Sequence, residues 1–168
     1  SSEIYISPSD GSTINDTFIR ENDSTTYHGL PPVKSVLRIG KLATNYNHRS
    51  LIVFNISNIS STDTIQSAII QFYLNASVGS QVNRTIKLYR LTSNWTDSQA
   101  QWYNSSLNQL WNIAGGDYDS IEINYTTVSN QSGIYYNISI PRYIITGWLN
   151  GTSNGGYDNF GIILISND

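Results

Sequence analysis

Apolar and polar residues take turns along most of this chain. In Ile121-Glu122-Ile123-Asn124-Tyr125, as in Tyr136-Asn137-Ile138-Ser139-Ile140, apolar side chains recur at every second position, the period of a strand with one face buried and one in solvent. These stretches are rich in β-branched and aromatic residues, which suit a pleated, half-buried surface. The pattern predicts strands over Ile4–Ile6, Ile14–Arg20, Val36–Gly40, Ser50–Ile56, Ile65–Asn75, Thr85–Leu91, Ser120–Tyr125, Tyr135–Ile140 and Phe160–Ser166. Turn chemistry separates them at Pro8-Ser9-Asp10-Gly11, Gly29 to Pro32, Val78-Gly79-Ser80, Gly115-Gly116-Asp117 and Asn154-Gly155-Gly156. One segment breaks the period. Pro141 opens a predicted helix, Arg142 to Leu149, with Ile144, Ile145, Trp148 and Leu149 on one face and Asn150-Gly151 as its stop. Strands at this spacing with a single short helix predict an all-β, antiparallel two-sheet sandwich. No repeat, linker or low-complexity tract divides the chain, so residues 1–168 are expected to form one domain, with 1–8 as an exchangeable N-terminal strand.

Composition changes the picture in two respects. Charged residues make up only 12% of the chain and the net charge is -3. No basic patch tracks phosphates, which argues against nucleic acid as a partner. The longest apolar runs, such as Leu51 to Phe54 and Ile162 to Ile165, fall far short of a membrane span, so no membrane insertion is expected. There is no cysteine, hence no disulfide and no thiol nucleophile. No leader precedes Ser1, as in a mature chain or a trimmed piece of one. Polarity comes instead from Asn, Ser and Thr. Twelve asparagines begin an Asn-X-Ser/Thr sequence: Asn15, Asn22, Asn55, Asn58, Asn75, Asn83, Asn94, Asn104, Asn124, Asn130, Asn137 and Asn150. Random placement of the 19 Asn among 38 Ser and Thr would give about four such acceptor sites. The excess points to an exported protein carrying covalent N-linked glycans, each bulky and solubilising. Alternating Asn and Ser/Thr on exposed strand faces is the plainer reading of the same pattern.

Several segments, in order, carry a family resemblance. They are Asp16-Thr17-Phe18-Ile19-Arg20, Tyr27-His28-Gly29, Leu37-Arg38-Ile39-Gly40, Arg49 to Ile56 and Ile65 to Tyr73. Leu88-Tyr89-Arg90-Leu91 follows, then Trp95-Thr96, Gln101-Trp102-Tyr103-Asn104, Gly147-Trp148-Leu149-Asn150-Gly151 and Asn159-Phe160-Gly161-Ile162-Ile163-Leu164. Together they resemble the DNRLRE, or disaggregatase-related, repeat family of archaeal and bacterial surface proteins. The resemblance implies a jelly-roll-like β-sandwich at the cell surface or outside the cell, with carbohydrate binding in some members and structural roles for Trp95 and Trp102.

The residues offer little catalytic chemistry. His28 and His48 stand in turn-like segments without a nucleophile motif beside them. Most acids lie among Gly, Ser and Asn, where Asp bends the backbone. No enzyme activity is expected. The densest acid pair, Asp117 and Asp119 in a Gly-bent loop, is a weak calcium candidate, since two oxygen ligands at i and i+2 fall short of a full calcium loop; no other metal or cofactor is implied. Aromatic rings stack on sugars through the negative π-face, which makes Trp111 and Tyr118, in a long irregular region, candidates for carbohydrate binding.

Two functions fit. The first is a structural or adhesive surface protein, the self-assembling subunit of a filament, sheath or layer, with copies of itself or other surface proteins as partners. Glu3-Ile4-Tyr5-Ile6, set off by Pro8, would be the strand it donates to a neighbour's open sheet edge. The second is a carbohydrate-binding module recognising a polysaccharide, which requires an exposed aromatic row free of acceptor sites.

Overall fold

The computed structural model describes residues 2–7, 13–29, 36–77 and 83–166. Their elements are, in chain order, β1 (Ile14–Arg20), β2 (Gly40–Lys41), β3 (Asn47–Phe54), β4 (Ala68–Leu74), β5 (Asn83–Leu91), β6 (Asn104–Ser106), β7 (Gln109–Leu110), β8 (Tyr118–Ser129), β9 (Ile134–Ile140), α1 (Arg142–Asn150) and β10 (Ile162–Ile165). The main sheet runs β1-β3-β10-β5-β8, with β2 beside β3. Among the described residues a second sheet holds β4 and β9, and β6 and β7 form a small hairpin. Every pair is antiparallel. The expected antiparallel β-sandwich with one helix is the fold.

Why the central strands are apolar without a break follows from what covers them. Side chains of a strand alternate between faces, and here both faces of the main sheet are buried. Ile162 and Leu164 of β10 join Ile52, Leu88 and Ile123 in a cluster closed by Ile70, Ile138 and Ile140 of the small sheet and by Ile144 and Trp148 of α1. Ile163 and Ile165 point the other way, into a cluster with Leu51, Leu91 and the three tryptophans Trp95, Trp102 and Trp111. The layers are therefore a tryptophan-bearing loop, the main sheet, and the small sheet with α1.

The helix begins as the sequence predicts. Pro141 sits at its N-cap with φ -55, preset for the first turn, and Gly151 at φ 66 donates its N–H to Gly147 O to end it. Gly147 is needed for packing: a β-carbon there would lie 2.3 Å from the Tyr157 ring. None of the described helices is long and apolar enough to cross a membrane.

Several expected boundaries move. No strand forms over Ile4–Ile6. Over Val36–Gly40 only Gly40 enters a ladder. Leu37 and Ile39 do pack on the core, but the Arg38 carbonyl accepts from the side-chain hydroxyl of Ser50 on β3 at 2.8 Å rather than from a backbone N–H. β4 starts at Ala68 rather than Ile65, and β8 runs to Ser129 rather than Tyr125. Parts of the turns expected at Pro8 to Gly11, Gly29 to Pro32 and Val78 to Ser80 lie outside the described residues.

Candidate functional site

The long segment between β5 and β8 is a small core of its own. Trp95 donates its indole N–H to Phe160 O at 2.8 Å, and Trp111 donates its own to Gln101 O at 2.9 Å. An indole satisfied in this way is comfortable inside. Trp95 and Trp102 are structural, as the resemblance implies. Trp111 is structural as well: it is 5% exposed, which corrects its reading as a sugar platform. Tyr118 is half-buried, with its ring 4.9 Å from that of Tyr89. The Arg49 guanidinium lies 4.8 Å over the Trp102 ring and 5.8 Å from Tyr118, and it donates to Gly115 O at 2.8 Å. Burial lowers its pKa from the usual value.

Asp117 ties this segment together. Its Oδ2 accepts from the Ser93 hydroxyl at 2.7 Å, the Asn112 backbone N–H at 3.0 Å and the Asn112 amide at 2.9 Å, and its Oδ1 accepts from Ile113 N–H at 2.9 Å. Burial pushes its pKa up, but donors from Asn112, Ser93 and Ile113 outweigh that and hold the carboxyl below its ordinary value. Asp119 is held separately, by Ile121 N–H and by Arg90 at 3.1 Å. Each carboxylate oxygen of Asp117 and Asp119 accepts at least one hydrogen bond from the chain. Among the described residues no cluster of three or more His, Asp or Glu is placed to hold a metal.

The two histidines are buried beside β1. His28 stacks on Phe18 with ring centroids 4.0 Å apart, and its Nε2 lies 3.3 Å from Asp23 Oδ2. Burial lowers the pKa of both His28 and His48; the Asp23 charge opposes this at His28, while the nearby Arg38 and Arg20 reinforce it at His48. Both rings are core groups.

The acceptor asparagines lie on the outside. Nine of the twelve are exposed, and Asn104, Asn124 and Asn150 are half-buried. Three amides are spoken for in the folded chain: Nδ2 of Asn22 donates to Asn45 O at 3.0 Å, that of Asn104 to Gln101 Oε1 at 3.4 Å, and that of Asn124 to Ser139 O at 2.8 Å. The outer face of the small sheet gathers a second set of residues. Register places Ile69 opposite Ser139, Gln71 opposite Asn137 and Tyr73 opposite Tyr135. Both tyrosines are more than half exposed. Sequence reasoning passed over this pair, although each tyrosine stands two residues before an acceptor, Asn75 or Asn137; only the strand register brings them together.

The remaining element is the N-terminal segment. Residues 2–7 form no strand. Ile4 is 46% and Tyr5 74% exposed, and the Tyr5 hydroxyl donates to Glu3. Ile6 is half-buried. Meanwhile β4 and β9 each have one edge with no ladder partner among the described residues. The β9 edge is the less open one, since the Asn124 amide of β8 reaches its Ser139 carbonyl.

The main sheet, closed on one side by a tryptophan-bearing segment and on the other by two strands and a Pro-started helix, makes this an all-β antiparallel sandwich domain. The chain belongs to the disaggregatase related repeat domain family, whose model matches residues 17–165. No curated protein matches it.

Proposed function

We propose that this domain is a non-catalytic, N-glycosylated surface protein whose copies join by β-strand addition into a filament, sheath or layer. Membership of the disaggregatase related repeat family supports a place at the cell surface. One observation carries the assembly reading: Glu3 to Ile6 form no strand and expose Ile4 and Tyr5, while among the described residues the small sheet of the same sandwich has two strands. An extended Glu3-Ile4-Tyr5-Ile6 laid along the β4 edge of a neighbour gains main-chain hydrogen bonds. In that pose Ile4 and Ile6, two residues apart, face the neighbour's core together. Exposed acceptor asparagines elsewhere clothe the remaining surface and leave the edges as natural contacts.

Deleting residues 2–7 tests this. The account expects polymers to vanish while circular dichroism still reports a folded β-protein; polymers unchanged by the deletion would refute it. A carbohydrate-binding module is the second reading. A polar cleft of about 560 Å³, lined by Ser93, Asn94, Thr96, Gln109, Asp158 and Trp95, favours it. Asn94 is itself an acceptor, so its glycan would compete for that cleft. Monomers that bind soluble polysaccharide, and lose it on Asp158→Ala, would establish this second function.

A further inference from the structure

We propose that Tyr73 and Tyr135 form a shelf on which the glycan carried by Asn137 packs; this rests on the reading of Asn137 as a modified residue. The argument begins with strand geometry. Tyr135 and Asn137 are two apart on β9 and share its outer face, roughly 6.6 Å from one another along the strand. Register sets Tyr73 across from Tyr135, and the two rings pack with centroids 4.9 Å apart at 55°. They are 54% and 63% exposed, so the pair offers solvent an aromatic surface of two rings beside the acceptor.

The acceptor amide is also oriented. Gln71, directly across the ladder, donates its Nε2 to Asn137 Oδ1 at 2.9 Å. That bond occupies the amide oxygen and leaves Nδ2, the atom to which the first sugar is joined, outside it. A sugar leaving Nδ2 meets Tyr135 on its own strand and Tyr73 on the next. C–H groups of a sugar ring carry slight positive charge and lie well against the negative face of a phenol. Asn75 lacks this setting, because it follows Leu74, the last residue of β4. The acceptors preceded at the same spacing by Trp102 and Trp148 lack it too, since both indoles are buried in the core. The occupant is therefore the chain's own glycan, held where it shields an apolar patch that also includes Ile69, 64% exposed.

The test uses protein isolated from its source cells in four forms: unaltered, Tyr135→Ala, Asn137→Gln and both. Peptide mass spectrometry first reads occupancy of Asn137, and calorimetry then reads Tm. With Asn137 occupied, Tyr135→Ala should lower Tm by roughly 2–4 °C more in the glycosylated background than in the Asn137→Gln background. The tyrosine–tyrosine contact is lost in both and cancels. Equal losses in the two backgrounds, with Asn137 occupied, overturn the shelf alone. A bare Asn137 overturns the modification reading at this residue and the shelf with it. An effect of Tyr135→Ala that grows with protein concentration, whatever the state of Asn137, assigns the patch to a second copy of the chain and also overturns the proposal.

Discussion

Replacing Asp117 with alanine removes the acceptor of four hydrogen bonds at once, from Ser93, the backbone and amide of Asn112, and the backbone of Ile113. Asp117 itself is 7% exposed, so its charge is worth holding only because those donors surround it. A hydrogen bond to a charged acceptor contributes about 1.5–3 kcal/mol. The total is less than four such bonds, because Asn112 and Ile113 are exposed residues whose donors find water once the loop loosens. A loss of about 2–4 kcal/mol follows, or a fall in Tm of roughly 4–16 °C for a domain of this size. Asp117→Asn should lie between, since one oxygen still accepts while its amide N–H groups oppose the remaining donors. Scanning calorimetry of the three proteins at neutral pH measures this. A chelator should leave the Tm of the unaltered protein where it was. Asp117→Ala melting within 1 °C of the parent would refute the loop-tying role, and a chelator-induced fall would give the carboxylate to a cation instead.

Acid should weaken the fold in two stages. Burial depresses His28 and His48 below their ordinary value of 6.5, so the unfolded chain takes up protons first. Their stabilising contribution is full above pH 6.5 and falls as pH drops through that value toward the lower folded-state pKa. Asp23, Asp117 and Asp119 are all held below 3.8, so their contribution is present above that pH and is lost beneath it. Replacing both histidines with glutamine should flatten the first stage in a Tm-versus-pH series; an unchanged slope between pH 6.5 and 5 would count against it. Gly147→Ala should cost about 1–3 kcal/mol by overpacking, because its new carbon would meet Tyr157 at 2.3 Å. The cost should shrink when Tyr157→Ala is present, as a double-mutant cycle in urea would show; full additivity would rule out that contact.

A strand that alternates cleanly, such as β9, was legible because one face meets the core and the other meets solvent. The helix was legible from Pro141 at its start, the shared face of Ile144, Ile145, Trp148 and Leu149, and the Asn150-Gly151 stop. What alternation reports, though, is burial and not pairing. Leu37 and Ile39 pack inward while Arg38 bonds to a serine side chain, so the pattern of a strand appeared without its ladder. The opposite error hid β6 and β7: Asn104–Ser106 and Gln109–Leu110 are too short and polar for any periodicity, and form because the loop folds back across the sheet. Trp111 read as an outward platform because a loop is normally exposed. Trp95, Trp102 and Trp111 recur within one irregular segment, and three indoles there signal a second core. The acceptor asparagines are readable from local sequence, and none is fully buried. The pairing of Tyr73 with Tyr135 depends on a register between strands sixty residues apart, which no local pattern encodes.

Assembly by strand addition is tested most directly by electron cryo-microscopy of the protein in and around its source cells. The account predicts ordered polymers in which density for Ile4-Tyr5-Ile6 runs antiparallel or parallel along β4 of the adjacent subunit, with glycan density at exposed acceptor asparagines. Separate monomers, or polymers in which that segment pairs within its own subunit, would contradict it.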